Sequence, residues 1–221
     1  MSRKFLIPGI IFLFVAFVLS FLTSISLPTL RALDIVRINT DVGNRIVIAP
    51  EDAVKDVRFG IWGICNYDFN DEHHCIRTGH GYEYRLRSFD NSASITIGSS
   101  WTRGLAVHPV AAGATFIALC LSFSSYLLAA WIMSFLAAFL TLLAFAIDIA
   151  LYVHVHSNVG DVSDALKAHV APGFWLTFVS LLFTLFAGCT IFVGRRKMAG
   201  SSPSYPSMSK GSSGVFSRFR K

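Results

Sequence analysis

Apolar and polar residues are distributed along this chain on two length scales. Three runs are almost free of charge and long enough to be whole membrane spans; between them the apolar residues alternate over only a few positions. The first run, "FLIPGIIFLFVAFVLSFLTSISL", covers Phe5 to Leu27, 23 residues with no charged side chain. At about 1.5 Å per residue it crosses a hydrocarbon core of about 30 Å with a little tilt to spare. It exceeds the about 7–15 apolar residues of a signal peptide, and no small-x-small cleavage site follows, so it reads as an uncleaved anchor. The second run, Leu105 to Val153, has 49 residues. As one helix it would reach about 73 Å, more than twice the hydrocarbon thickness, so it must turn back. "SFSSYL", Ser122 to Leu127, supplies hydroxyls and Tyr126 for a turn at the interface. Two spans follow, 105–125 and 128–153. The third run, Pro172 to Gly194, is the fourth span, with Pro172 suited to a first helical turn.

The segment 28–104 behaves differently. "DIVRINT" (34–40), "NRIVIAP" (44–50), "DVRFGIWGICNY" (56–67), "YEYRLRSF" (82–89) and "ASITIG" (93–98) are short β-branched or aromatic runs broken by Gly, Asn and Pro. Such runs predict strands of a small antiparallel sheet. A sheet of this size has little core of its own and needs a staple and a floor. The predicted fold is therefore an all-α transmembrane bundle of four helices capped by a small extracellular antiparallel sheet.

Charge sets the orientation. Only 14% of residues are charged, against about 25% in soluble domains. Segment 28–104 is nearly neutral, with nine Lys or Arg and ten Asp or Glu. Arg3 and Lys4 precede the first span; Arg195, Arg196 and Lys197 follow the last, then Lys210, Arg218, Arg220 and Lys221, with no acid after Asp164. By the positive-inside rule residues 1–4 and 195–221 are cytoplasmic and the 154–171 connection, with Lys167 against Asp161 and Asp164, faces outward. The net charge of +6 is mostly this surplus; it flanks a span with no binding domain, so nucleic acid is not an expected partner, whereas inner-leaflet lipid is. The Ser-, Gly- and Pro-rich tail after the last span reads as disordered.

Cys65 and Cys75 are the only cysteines of the 28–104 segment, and in an oxidising compartment they are expected to pair. A metal site on His73, His74 and Cys75 is the weaker alternative, because adjacent histidines on a strand point apart and no second ligand pair with zinc spacing exists. Trp62 is expected to pack on the disulfide or to seat the sheet at the interface, and Gly60 and Gly63 to allow a close approach or a bulge. Asp148 is an acid inside a span, a candidate for function by default, with His108, Thr141 and Thr177 as candidate partners. Placed six residues before His154, it would sit about 9 Å below the outer rim. A structural tie is the favoured role, ahead of coupling to a partner protein and of a proton or ion path, for which no second intramembrane charge lines up. Ala114 with Ala118, and Ala146 with Ala150, are spaced four apart as helix contacts require. No catalytic motif, cofactor fingerprint or metal set is evident, and no Asn-x-Ser/Thr acceptor occurs.

The "GIWGIC" element with Cys75, "HPVAAGATFIA" entering the second span and "LLAFAIDIALYV" in the third resemble the claudin-type tetraspan architecture and, more closely, the fungal PalI/Sur group of membrane proteins. The resemblance spans about residues 5 to 195. It implies a helical bundle with a small sheet as cap, at the plasma membrane. It further implies a non-enzymatic accessory role beside a larger integral membrane protein, in ambient-pH signalling, or alternatively in organising membrane domains of the eisosome kind or cell-wall processes. PalI-type members often carry a long cytoplasmic tail, and here about 25 residues follow Gly194, which takes weight from tail-dependent signalling. Self-association into a homo-oligomer is compatible with either role. A transporter or channel subunit is the third reading; it would ordinarily require polar residues recurring at depth, and Asp148 stands almost alone.

Overall fold

The computed structural model describes residues 7–40, 46–48, 52–70, 72–88, 94–124, 126–162 and 166–199. The expected disordered tail therefore lies outside the described residues from 200 onward, as does the N-terminal segment 1–6. Four helical segments are long and apolar enough to cross a membrane: Ile7–Ser24, Ser99–Phe123, Leu128–Gly160 and Pro172–Gly194. They belong to helices α1 (Ile7–Ser24), α2 (Ser99–Arg103) joined by a 3-10 turn at Gly104–Ala106 to α3 (Val107–Phe123), α4 (Leu127–Val162) and α5 (Pro172–Ala199). The turn between α3 and α4 falls inside the predicted "SFSSYL" stretch. There the Ser124 hydroxyl donates to the Leu121 carbonyl (2.7 Å) and accepts the Tyr126 N–H (3.1 Å).

Around the bundle, α1 packs on α3, α3 on α4, α4 on α5, and α5 back on α1. The buried positions explain this closure. On α4, Ala130, Ser134, Ala137, Thr141, Ala144, Asp148 and Leu151 are buried; the steps of four and three are a heptad seam, which favours left-handed supercoiling. On α1, Gly9, Leu13, Ala16, Ser20 and Thr23 repeat the same spacing. The seams are built of small residues, so backbones approach closely, while Phe, Leu and Ile point outward. This is membrane packing, in which association rests on close van der Waals contact and interhelical hydrogen bonds. The Ser20 and Ser180 hydroxyls, 2.6 Å apart, join α1 to α5, and Ser180 also lies 3.1 Å from the Ala16 carbonyl. Ala114 and Ala118 are buried as expected. Ala146 and Ala150 are not: both are exposed, because at 100° per residue they lie about 200° from Asp148, on the far side of α4.

The cap is larger than the single sheet expected from sequence. Nine strands form two antiparallel sheets among the described residues. They are β1 (Val36–Thr40), β2 (Ile46–Ile48), β3 (Asp52–Val54), β4 (Asp56–Phe59), β5 (Gly63–Tyr67), β6 (His73–Arg77), β7 (Tyr84–Ser88), β8 (Ser94–Ile97) and β9 (Leu166–Val170). One sheet runs β6-β5-β4-β1-β9, the other β3-β2-β7-β8. Three strands depart from the sequence reading. β3 and β6 lie outside the runs predicted as strands. β9 comes from the 154–171 connection, read as a plain loop. It pairs in register with β1, from Val36 opposite Val170 to Thr40 opposite Leu166, so both lid-side connections contribute to one sheet.

Two helices run on past the predicted spans. α4 continues nine residues past the predicted end at Val153, to Val162, and α5 continues past Gly194 to Ala199. The extra length of α4 is used. Leu151, Val155 and Val159 are buried in the lid core together with Ile35, Val57, Phe59, Leu86 and Ile97. The floor that the sheet needs is the end of a spanning helix.

Candidate functional site: the lid hairpin and the buried pair beneath it

The "GIWGIC" stretch is the turn of the β4–β5 hairpin. Phe59 stands opposite Ile64, leaving Gly60 to Gly63 as the turn, closed by a hydrogen bond from the Gly60 N–H to the Gly63 carbonyl (3.0 Å). Its tip is docked on the chain leaving α1. The Ile61 N–H donates to the Ser26 hydroxyl (3.1 Å), and the Trp62 N–H to the Leu27 carbonyl (3.3 Å). The indole Nε1–H of Trp62 donates to the carbonyl of Ser24, the last residue of α1 (2.7 Å). A helix leaves its last carbonyls without intrahelical donors, and this indole supplies one. Trp62 thus ties the sheet to the first span; its polar atom is directed to α1, not to the disulfide. Gly60 and Gly63 are required for space, as a Cβ on Gly60 would collide with Leu27, and one on Gly63 with the Ile76 carbonyl.

The same turn reaches the second span. The Tyr82 hydroxyl donates to the Gly60 carbonyl (2.6 Å), and the Thr102 hydroxyl donates to the Tyr82 carbonyl (2.6 Å). Thr102 lies in α2, which leads into α3. Nearby, the Tyr84 hydroxyl donates to Asn66 Oδ1 (2.7 Å), and its ring meets Phe59 edge-on at 5.7 Å, joining the two sheets. Burial holds both phenols well above their ordinary pKa.

Cys65 and Cys75 form a disulfide, as expected, and stand directly opposite each other in the β5–β6 ladder with Cα atoms 4.0 Å apart. β6 is an edge strand whose other four residues are all exposed. It has no apolar face to bury, so the ladder and the disulfide are what hold it. The metal alternative on His73, His74 and Cys75 fails on the same geometry, since the Cys75 sulfur is committed to Cys65.

Beneath the lid, the structure brings His108 and Asp148 together. His108 is in the first turn of α3 and Asp148 on the α4 seam, with Nε2 and Oδ1 3.0 Å apart; the side chains are 3% and 0% exposed. Thr141 and Thr177 do not share the acid: their hydroxyls donate to the Ala137 (2.7 Å) and Gly173 (3.0 Å) carbonyls of their own helices. Asp148 Oδ2 has no hydrogen-bond partner among the described residues. Because Leu105 and Leu151, each three residues away in sequence, already belong to the lid core, the pair lies at the seam between bundle and lid. Because α4 runs on to Val162, Asp148 is 14 residues from the end of its helix and not six.

One further constellation was not anticipated. Asp34, fully buried, accepts two hydrogen bonds from Arg37: Nε to Oδ2 (2.9 Å) and a terminal nitrogen to Oδ1 (3.0 Å). This raises the guanidinium pKa, against the opposing effect of burial. The Asp34 carbonyl accepts the Gly173 N–H (2.8 Å), and the Ile35 carbonyl the Ala171 N–H (3.1 Å), which fastens β1 to the start of α5. An acid three residues before an arginine, at the entry to an apolar strand, was the available signal in "DIVR".

These contacts fasten the lid to the entry or exit of every span: α1 through Trp62, α3 through Tyr82 and Thr102, α4 through its own extension, and α5 through Asp34. Comparison with curated proteins gives no match. The family model of the SUR7/PalI family matches residues 5–187, which takes in the first three spans, the whole lid and most of the fourth span. The chain is a multi-pass membrane protein of claudin-like tetraspan form, and it belongs to the SUR7/PalI family.

Proposed function

We propose that this protein is a non-enzymatic accessory of the plasma membrane, with both termini cytoplasmic and the lid outside, that binds a larger integral membrane protein and assists ambient-pH signalling. Family membership supports a role of this kind. The observation that carries the reading is how the polar groups are used. The hairpin turn, the Asp34 and Ile35 carbonyls and the His108–Asp148 pair each connect one element of the chain to another. They make a rigid surface rather than an open cleft with a nucleophile and base at hand. The cationic sequence at 195–197 supports the orientation. The family description joins SUR7 with PalI, which equally favours a second role as an organiser of membrane domains or of cell-wall processes.

Proximity labelling from a tag after residue 221, in the native cell, tests partner binding; enrichment of one larger membrane protein is expected, and recovery of bilayer bystanders alone would oppose it. Deletion separates the two roles: poor growth at alkaline pH identifies the signalling role, and sensitivity to cell-wall stress at neutral pH the organising one.

A further inference from the structure

A groove of about 370 Å³ opens at the base of the lid, lined by Ile25, Pro28, Thr29, Trp62, Arg77 and Gly79. Its position fixes what can reach it. Ile25 follows directly on the end of α1, and its N–H still donates to the Phe21 carbonyl (3.1 Å), continuing the helical turn. Ile7, Ile11, Phe14, Val18 and Phe21 are the exposed large side chains of α1. Their spacing of four and three forms one outward stripe, and Ile25 is its next position. The apolar floor of the groove is therefore continuous with the surface that α1 presents to acyl chains.

The mouth has a different character. Arg77 is exposed on the edge strand β6, opposite Gly63, the one residue of β5 without a side chain. Its terminal nitrogen lies 3.4 Å from the Thr29 hydroxyl, and no carboxylate is paired with it among the described residues. The Trp62 Nε1–H is already donated to Ser24, so the indole offers the groove a ring rather than a donor. A cation and an aromatic ring one turn beyond the end of a spanning helix stand at headgroup depth.

We propose that this groove holds a phospholipid of the lid-side leaflet, with its phosphate on Arg77 and Thr29 and one acyl chain running over Ile25 onto the outer stripe of α1. A guanidinium forms charge-assisted, two-pronged hydrogen bonds to phosphate, and the apolar floor selects a lipid over free phosphate.

The test uses the full chain, delipidated in detergent, and native mass spectrometry with added dioleoyl phosphatidylglycerol. The wild-type chain is expected to retain one phospholipid. Arg77→Gln should weaken retention by about fivefold, the scale of one partly exposed ionic contact, and Arg77→Lys should recover most of it. Ile25→Ser, which removes apolar floor without touching the cation, should also weaken it. Thermal melting and an intact Cys65–Cys75 bond in each variant exclude misfolding as the cause. Equal retention by wild type and Arg77→Gln would overturn the proposal. So would equal retention of dioleoylglycerol, which lacks phosphate, or uptake of inorganic phosphate without lipid. A dimer with no bound lipid would assign the groove to a second copy instead.

Discussion

At the scale of single residues, the lid depends on a few polar atoms at seams. Trp62→Phe keeps an aromatic ring but removes the indole donor to the Ser24 carbonyl together with part of the ring's bulk. An unmade hydrogen bond at such a site costs about 1–3 kcal/mol, and a lower melting temperature of the purified chain is the expected outcome. His108→Ala leaves Asp148 a buried carboxyl with no partner on either oxygen among the described residues. Breaking a buried pair from one side typically costs about 3–5 kcal/mol, while replacing both members with apolar residues is often near neutral. A double-mutant cycle with His108→Leu and Asp148→Leu should therefore show strong coupling; additive losses would show that the pair contributes no tie. Asp148 was legible in the sequence as the acid in an apolar run, but its partner was not. Choosing among His108, Thr141 and Thr177 needs the rotation of α3 and α5 about their axes, and no single residue encodes that.

At the scale of elements, β6 is an edge strand with four of its five residues exposed, and the disulfide is its staple. Closing a loop of this length is worth about 3 kcal/mol in the chain-entropy picture. Cys75→Ser should raise hydrogen exchange across His73–Arg77, while β4, β1 and β9 in the centre and far edge of the same sheet keep their protection. Uniform loss across the sheet would contradict a local staple. The strands found in sequence were those with an apolar face, such as Val36 and Ile38 in β1. β6, "HHCIR", has none, so its composition matches a loop; it is a strand because β5 offers it a ladder. α4 was cut short for a related reason. His154, His156 and Asn158 end the hydrophobic run, yet Leu151, Val155 and Val159 keep helical spacing on the side facing the lid core. Hydropathy marks where a membrane ends, which is not where a helix ends.

At the scale of the whole molecule, the lid core joins both sheets to α4, so it should unfold as one unit. Tyr82 and Tyr84 give that unit a pH limit. Burial raises both phenols above their ordinary value, so the folded chain keeps protons that the unfolded chain loses. Their contribution is full below about pH 10, the ordinary phenol value, and falls as pH rises beyond it. Melting followed between pH 8 and 11 should show this decline, and Tyr84→Phe should flatten it; a decline that stays as steep in the variant would assign it to other groups. The four-span plan was legible because hydrocarbon tolerates little charge over a span. The two-sheet lid was not, because β9 lies more than 120 residues from its partner β1, and short-range periodicity carries no information about such a pairing.

α4 enters the lid without a break. Its 36 residues make a rod of about 54 Å, longer than the hydrocarbon is thick, with one end gripped by two sheets and the other packed between α3 and α5. A load pulling sideways on the lid would thus arrive among the lipids as lean in a single stiff shaft, which makes the protein a lever across the membrane surface.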